Sequence, residues 1–262
     1  MEKPAVPSGR FVWYDLMTTD IDKAKAFYSK LFGWNVKEVD MGPMGTYPMI
    51  HAGEQGIGGM MRLPPGAGAP SHWIGYATSG DVDAAAATVQ ELGGRVMVPP
   101  TDIPGVGRFT VIADPQGALV APFKPNPRDD APPQKEPGPG EFCWVELHTS
   151  DQAAAESFYT KLFGWTLQRS DMGGMTYTLL KNGEREEGGV MQMQPGAPYP
   201  PMWLPYVAVA DADKASAEAS ELGARVVMPT MAIPGIGRFA VILDPTGASL
   251  ALFDRQGAKS RS

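Results

Sequence analysis

The first apolar segment of the chain, RFVWYDLM, alternates in polarity with a period of two residues, as a half-buried β-strand does. One face of this strand carries Val12, Tyr14 and Leu16, and the other carries Trp13, Asp15 and Met17. The period then changes to that of a helix, whose apolar face consists of Ile21, Ala24, Phe27, Tyr28, Leu31 and Phe32. Asp20 is the predicted N-cap, and Gly33 ends the helix.

Short strands follow around TYPMIHAG and GIGGMMRLP, and the same order then begins again. It runs through a strand at HWIGYAT, a helix capped by Asp81, strands at RVMVPPTDIP and GRFTVIAD, a turn at DPQG and a strand at ALVAPF. Each half of this region therefore reads as one βαβββ unit. Because a single unit cannot bury both faces of its sheet, we expect units to pair, with sheet edges joined and helices outside.

The sequence of this whole region is repeated once along the chain. Between residues 11–34 and 142–165, 13 of 24 positions are identical at an offset of 131. The match continues at an offset of 130 through the pairs ELGGRV/ELGARV, IPGVGRF/IPGIGRF and DPQGA/DPTGA. A proline-rich segment, KPNPRDDAPPQKEPGPG, separates the copies and predicts an extended connector. The expected architecture is a domain at 9–123, a linker at 124–140 and a domain at 141–255.

The predicted fold class is α+β, with two tandem domains that each pair two βαβββ units into a cupped mixed sheet. The amino-acid composition and net charge limit the kinds of partner that the protein is expected to bind. A hydrophobic fraction of 43% and a net charge of −7 fit a globular protein with no electrostatic footprint for nucleic acid or an anionic membrane. The single cysteine excludes an intrachain disulfide, and the chain begins without the apolar segment of a signal peptide. We therefore expect a cytoplasmic protein, either a monomer with pseudo-dimeric tandem domains or a dimer.

The pattern D-x-x-x-A-x-x-F-Y-x-x-L-F-G-W after the first strand, with D-P-x-G before the last, resembles the vicinal oxygen chelate superfamily. That superfamily includes glyoxalase I, extradiol dioxygenases and bleomycin resistance proteins, and the doubled form is similar to tandem proteins labelled glyoxalase-like. The resemblance covers nearly the whole chain outside the linker and tails. It implies the fold, but it leaves the activity open because the fold hosts lyases, isomerases, dioxygenases and drug-binding proteins.

Members that use a metal bind it with a first-strand histidine, a last-strand carboxylate and one or two ligands between them. Placed on that frame, this chain departs from the pattern in both copies. The corresponding positions hold Trp13 and Trp144, Ile74 and Leu204, and Ala121 and Ala251. Indole, branched alkyl and methyl groups offer no donor to Zn²⁺, Fe²⁺ or Mn²⁺. The prediction is a protein without a metal at these positions and without a cofactor.

Three polar residues are candidates for chemistry on the predicted concave faces. Asp15 and Glu146 occupy the same inward phase of their first strands, and His148 is in phase with Glu146. A carboxylate flanked by apolar residues suits a general acid, a general base or a hydrogen-bond partner for a ligand, whereas the plainer interpretation is a solvated or paired strand-end carboxylate. Lone histidines are usually incidental, which also applies to His51 and His72.

Further candidates are aromatic and basic residues. Trp13 and Trp144 either pack or stack on a ligand, and Tyr76 and Tyr206 are expected to face them. Arg108 and Arg238, in the two PGxGRF segments, are either surface arginines or anion-binding groups at the rim. Cys143 is expected to pack on the helix-facing side.

Three function hypotheses follow. The first is a metal-free protein that binds an apolar or aromatic metabolite, toxin or antibiotic. The second is a glyoxalase-like lyase or isomerase of reactive carbonyl compounds, using Glu146 with His148, and Asp15 with His72, as acid–base groups or a noncanonical metal. The third is a protein-interaction module, which concave faces filled by side chains would favour.

Overall fold

The computed structural model describes residues 8–42, 45–64, 66, 68–127, 136–171 and 176–255. Within these ranges, sixteen strands and four helices follow one another as βαβββ four times, as the sequence predicts. Residues 128–135 of the predicted linker lie outside the described ranges. No helix in the described part of the chain is both long and apolar enough to cross a lipid bilayer.

The elements of the first copy begin at the predicted strand. They are β1 (Phe11–Thr18), α1 (Ile21–Phe32), β2 (Asn35–Asp40), β3 (Thr46–Ala52), β4 (Gln55–Arg62), β5 (His72–Thr78), α2 (Val82–Glu91), β6 (Arg95–Ile103), β7 (Gly107–Ala113) and β8 (Leu119–Pro125). Those of the second copy are β9 (Phe142–Thr149), α3 (Gln152–Phe163), β10 (Thr166–Asp171), β11 (Thr176–Asn182), β12 (Arg185–Gln192), β13 (Met202–Ala208), α4 (Ala212–Glu221), β14 (Arg225–Ile233), β15 (Gly237–Leu243) and β16 (Ser249–Asp254).

The strands form two eight-stranded mixed sheets of identical topology. Their orders are β2-β3-β4-β1-β5-β8-β7-β6 and β10-β11-β12-β9-β13-β16-β15-β14. In each βαβββ unit, the first strand pairs in parallel with the last strand. The consecutive strands after each helix form antiparallel hairpins. The predicted α+β class with paired βαβββ units is confirmed.

An aspartate caps each of the four described helices. Asp20 and Asp81, predicted from the sequence, accept hydrogen bonds from the backbone amides of Lys23 and Ala84. Asp151 and Asp211 cap the helices of the second copy in the same way. Such an oxygen satisfies amide groups that the first helical turn leaves unpaired, which is worth about 1 kcal/mol per cap.

By compactness, the described residues fall into two units that each draw on both sequence copies. One unit comprises the described residues within Met1–Trp13, Ile74–Pro133 and Val145–Trp203. The other comprises those within Tyr14–Trp73, Gln134–Trp144 and Leu204–Ser262. The domain boundaries 9–123 and 141–255 therefore stay a prediction about the repeat, whereas compact packing combines the second half of one copy with the first half of the other.

The two repeated motifs explain this packing, because they bind each other within each unit. In one unit, the Tyr28 hydroxyl donates to Asp244 Oδ2 at 2.9 Å. In the other, the Tyr159 hydroxyl donates to Asp114 Oδ2 at 3.1 Å. The tyrosines belong to the F-Y helix motif and the aspartates to the D-P-x-G turn. The Oδ1 atom of each aspartate accepts backbone amides of its own turn.

The tryptophan that follows each F-Y helix makes a second hydrogen bond between the copies. Trp34 Nε1 donates to the carbonyl of Gly140 at 2.6 Å, and Trp165 Nε1 donates to the carbonyl of Gly9 at 3.2 Å. Each indole thereby holds the segment that leads into the first strand of the other copy. Trp34 and Trp165 are almost fully buried, so these bonds satisfy donors that have no access to water.

Candidate functional site

Strand β9 separates apolar from polar residues by its two-residue period. Val145 and Leu147 are buried on one face, and Glu146 and His148 lie on the other. Although both are polar, Glu146 and His148 are only 8% and 5% exposed. His148 Nε2 lies 2.8 Å from Glu146 Oε1. The phase predicted from the sequence thus produces a buried carboxylate–imidazole pair.

The second ring nitrogen of His148 is unsatisfied. Its Nδ1 atom is buried and has no hydrogen-bond partner among the described residues. Tyr199, on the segment between β12 and β13, lies beside it, with the two ring centroids 5.8 Å apart. Burial and the negative charge of Glu146 raise the pKa of Tyr199 above its usual value. The phenol therefore keeps its proton, and the site combines a carboxylate, an imidazole and a hydroxyl donor.

A glycine makes room for another hydroxyl on this sheet face. Gly189 of β12 is the register partner of Glu146. A Cβ atom at Gly189 would overlap the hydroxyl oxygen of Tyr177, which comes from the adjacent strand β11. Because residue 189 has no side chain, the Tyr177 phenol can lie over the backbone of Gly189, the register partner of Glu146.

The first copy has the same frame with fewer polar groups. The Tyr47 hydroxyl donates to Asp15 Oδ1, and Gly59, the register partner of Asp15, leaves the space that this phenol fills. Asp15 is 4% exposed. Met17 occupies the position of His148 at the offset of 131, and Ala69 that of Tyr199 at the offset of 130. The imidazole and the second phenol are both particular to the second copy.

Sequence reasoning missed all three tyrosines. Tyr47 and Tyr177 were visible as a repeated T-Y pair, and Gly59 and Gly189 as a repeated G-G pair. Only the strand register shows that each tyrosine crosses its glycine to reach the carboxylate strand. Tyr199 carries no repeat signal, because its counterpart is an alanine. A comparison of the copies for polar residues gained by one of them would have found it.

The predicted aromatic candidates lie in ring clusters. Tyr76 contacts Phe109 and Phe123, with centroid distances of 5.9 and 6.0 Å, and Tyr206 contacts Phe239 at 5.9 Å. Trp13 and Trp144 are half-buried at the ends of their strands that precede the carboxylates. A ligand-binding role for these four residues stays a prediction.

The two arginines are engaged by carboxylates. Arg108 makes ion pairs with Asp83 at 2.8 Å and Asp102 at 2.9 Å. Arg238 pairs with Asp254 at 2.7 Å and Asp213 at 2.6 Å. In each copy the arginine thus ties its strand to the beginning of the neighbouring helix. These contacts match the interpretation as surface arginines, and anion binding stays a prediction.

Two further candidate side chains are His72 and Cys143. His72 Nδ1 lies 2.8 Å from the carbonyl oxygen of Pro70. Asp15 instead accepts a hydrogen bond from the Tyr47 hydroxyl. The structure therefore pairs Asp15 with a phenol. Burial raises the pKa of the Cys143 thiol to about 12, so this sulfur stays protonated at neutral pH and is a poor nucleophile.

The donor set does not fit the metal site that the superfamily implies. Ile74, Leu204, Ala121 and Ala251 are buried and apolar at the expected ligand positions. Among the described residues, no group of three or more His, Cys, Asp or Glu side chains converges. Glu146 and His148 supply two donors, and these already bind each other. A divalent transition metal needs more ligands around one point.

Surface concavities formed by described residues also occur elsewhere. One of about 280 Å³ is lined by residues around Arg62 and Leu63, and one of about 460 Å³ by the β3–β4 turn and residues around Gly138. Neither is lined by Glu146, His148 or Tyr199. The carboxylate–imidazole pair is the better candidate, because its unpartnered Nδ1 lies beside both a carboxylate and a phenol.

The comparisons with known proteins agree with this fold. The model of the Glyoxalase/Bleomycin resistance protein/Dioxygenase superfamily matches residues 10–121 and 142–252. The candidate glyoxylase CFP32 of Mycobacterium tuberculosis is 39% identical over 241 residues, covering 90% of this chain and 91% of that protein. The anthracycline biosynthesis protein DnrV of Streptomyces peucetius is 30% identical over 263 residues, covering 95% and 94%.

Solved structures show the same architecture at low identity. The Mn(II)-bound glyoxalase of Novosphingobium aromaticivorans superposes with a TM-score of 0.61 at 17% identity, covering 95% of this chain and 82% of that one. The 2,2',3-trihydroxybiphenyl 1,2-dioxygenase of Sphingomonas wittichii gives 0.62 at 15%, covering 96% and 91%. These likenesses concern the fold alone. Because the family model matches both copies over most of the chain, the protein belongs to the Glyoxalase/Bleomycin resistance protein/Dioxygenase superfamily.

Proposed function

We propose that this protein binds a small apolar or aromatic molecule without a metal, and that the second copy carries the site. The observation that carries the proposal is the buried Glu146–His148 pair, whose remaining imidazole nitrogen has no partner. A buried polar atom without a hydrogen bond costs about 1–3 kcal/mol, and a ligand that supplies the bond removes that cost. The apolar residues at the family's ligand positions support binding without a metal.

The ligand is a small molecule, and the protein acts in the cytoplasm without nucleic acid or membrane partners, as a monomer or dimer. A relative named for anthracycline biosynthesis supports a small-molecule role. An interaction module is less well supported. Its concave faces would be filled by side chains, and Glu146 and His148 are indeed buried, but an unpartnered imidazole nitrogen beside a carboxylate and a phenol favours contact with a small molecule.

A glyoxalase-like lyase or isomerase of reactive carbonyl compounds is the second candidate. The same pair favours it, since an imidazole oriented by a carboxylate is a common general base. A relative named as a candidate glyoxylase points in the same direction. In this alternative, His148 accepts a proton from the substrate. The Tyr199 phenol keeps its own proton and donates a hydrogen bond to a developing oxyanion.

Native mass spectrometry with elemental analysis, on protein purified without chelators, tests the proposal. We expect no stoichiometric Zn²⁺, Fe²⁺, Mn²⁺ or Ni²⁺, and a noncovalent small-molecule adduct that His148→Met removes. One metal ion per chain that disappears in Glu146→Ala would contradict binding without a metal and favour the enzyme. Asp15→Ala is the matched variant in the first copy, and we expect it to leave the adduct in place.

A further inference from the structure

The chemistry of the second-copy site specifies one end of its ligand. With Glu146 as a carboxylate and His148 as a neutral imidazole, the hydrogen between Glu146 Oε1 and His148 Nε2 can come only from the imidazole. In the neutral ring the proton on Nε2 leaves a lone pair on Nδ1. Because Nδ1 is buried and unpartnered, the position opposite it calls for a hydrogen-bond donor.

The neighbouring groups restrict what that donor is. Tyr199 places an aromatic ring beside the imidazole, at 5.8 Å between centroids and 53° between planes. A cationic donor such as an amine would also be drawn to Glu146, but that carboxylate is buried and already accepts the imidazole proton. Removing an ammonium ion from water is far more costly there than removing a neutral hydroxyl. The site therefore favours a neutral hydroxyl on an apolar body.

We infer that His148 Nδ1 is the hydrogen-bond acceptor for the hydroxyl group of a neutral aromatic ligand, and that Glu146 is the positioning residue that fixes this nitrogen as an acceptor. The inference rests on the proposed function. It adds the ligand's chemical class and restricts the specific contact to the second copy. The first copy has Met17 and Ala69 in place of His148 and Tyr199, so the same ligand finds no acceptor nitrogen there.

A pair of probes that differ by one methyl group tests the inference. 2-Naphthol offers a hydroxyl donor, and 2-methoxynaphthalene has the same rings and no donor. Affinities measured by isothermal titration at neutral pH should favour 2-naphthol by at least about tenfold, because the ether leaves the nitrogen unpaired. The ratio of the two affinities is the readout, since a general loss of structure would lower both.

Four variants of the full chain separate the roles. His148→Met, which copies the first repeat, should reduce the ratio to about one, and His148→Gln, which keeps an acceptor oxygen, should retain part of it. Glu146→Gln should lower the ratio several-fold, because the amide no longer fixes the proton on Nε2. Met17→Leu in the first copy is the matched control and should leave the ratio as in the wild type.

A wild-type ratio near one, a ratio unchanged in His148→Met, or the absence of binding by either probe would each overturn the inference. The proposed function has its own test in the metal content and the copurified adduct. An adduct without metal together with a probe ratio of one therefore refutes the hydroxyl contact alone. A bound metal refutes the proposed function whatever the probes do.

Discussion

At the scale of the residue, the polar groups near each carboxylate depend on small side chains as much as on reactive ones. Gly59 and Gly189 allow Tyr47 and Tyr177 to cross the sheet above them. In the first copy, Asp15 accepts a hydrogen bond from the Tyr47 hydroxyl. In the second copy, Glu146 is hydrogen-bonded to His148. The chemistry of the two copies differs through His148 and Tyr199 and through the exchange of Asp15 for Glu146.

Adding a methyl group at the crossing should therefore destabilise the protein. Gly59→Ala places a Cβ atom where the Tyr47 phenol lies, and overpacking of this kind costs about 1–3 kcal/mol. Urea unfolding curves measure the loss. Gly80→Ala is the control, since a Cβ at Gly80 meets nothing within 4 Å and its φ angle is not positive. Equal stability of the two variants would show that the tyrosine moves aside without cost.

At the scale of the element, the copies keep one helix–strand ion pair with its polarity reversed. In the first copy, Lys25 of α1 pairs with Glu38 of β2. At the offset of 131, Glu156 of α3 pairs with Arg169 of β10. The surroundings differ, because Glu156 is 4% exposed and also accepts the Thr178 hydroxyl and the Gln152 amide, whereas the first pair is solvated.

Removal of the carboxylate should cost more in the second copy. Glu156→Gln leaves several donors around a neutral amide, and loss of a buried charged hydrogen-bond partner costs about 1–3 kcal/mol. Glu38→Gln is the matched variant, and an exposed pair contributes about 0–1 kcal/mol. Chemical unfolding of both variants measures the difference. A larger loss in Glu38→Gln would show that the buried network is not the stronger of the two.

The same network makes stability depend on pH in a defined direction. Burial alone would raise the pKa of Glu156, but hydrogen bonds from Arg169, Thr178 and Gln152 hold it below its ordinary value. A lowered folded-state pKa means that this stabilisation is present above the unfolded pKa and disappears as pH falls through the folded pKa. Between neutral pH and about pH 3, the wild type should lose more unfolding free energy than Glu156→Gln. Parallel curves for the two proteins would contradict this.

At the scale of the whole molecule, each compact unit needs both sequence copies. Tyr28 and Asp244 are 216 residues apart and belong to the same unit, as do Tyr159 and Asp114. Trp34 and Gly140 repeat the arrangement with an indole donor. A single copy therefore contains half of each unit, and the hydrogen-bond partners of its buried tyrosine and tryptophan come from the other copy.

A fragment that ends in the linker should consequently fail as a folded monomer. Residues 1–127 expressed alone leave Tyr28 and Trp34 without Asp244 and Gly140, so we expect either an unfolded chain or a self-associated dimer in which a second fragment replaces the missing copy. Size-exclusion chromatography with light scattering and circular dichroism distinguishes these states. Co-expression with residues 136–262 should restore a heterodimer. A cooperatively folded monomeric fragment would contradict the shared core.

The local features of this protein could be predicted from its sequence. The two-residue period of β9 placed Glu146 and His148 on one face, the capping aspartates marked the helix starts, and the repeat gave the order of sixteen strands and four helices. These features depend on backbone geometry and on neighbours a few residues apart, so they are readable without the fold. The absence of metal donors at the superfamily positions was equally visible.

The contacts between distant groups come from the tertiary structure. It joined the F-Y helix of each copy to the D-P-x-G turn of the other, and it placed Tyr199 beside His148. It also left Nδ1 of that imidazole unpartnered. Periodicity records which face a residue occupies and carries no information about what packs on that face, because a distant partner is chosen by shape and hydrogen bonding across the assembled sheets.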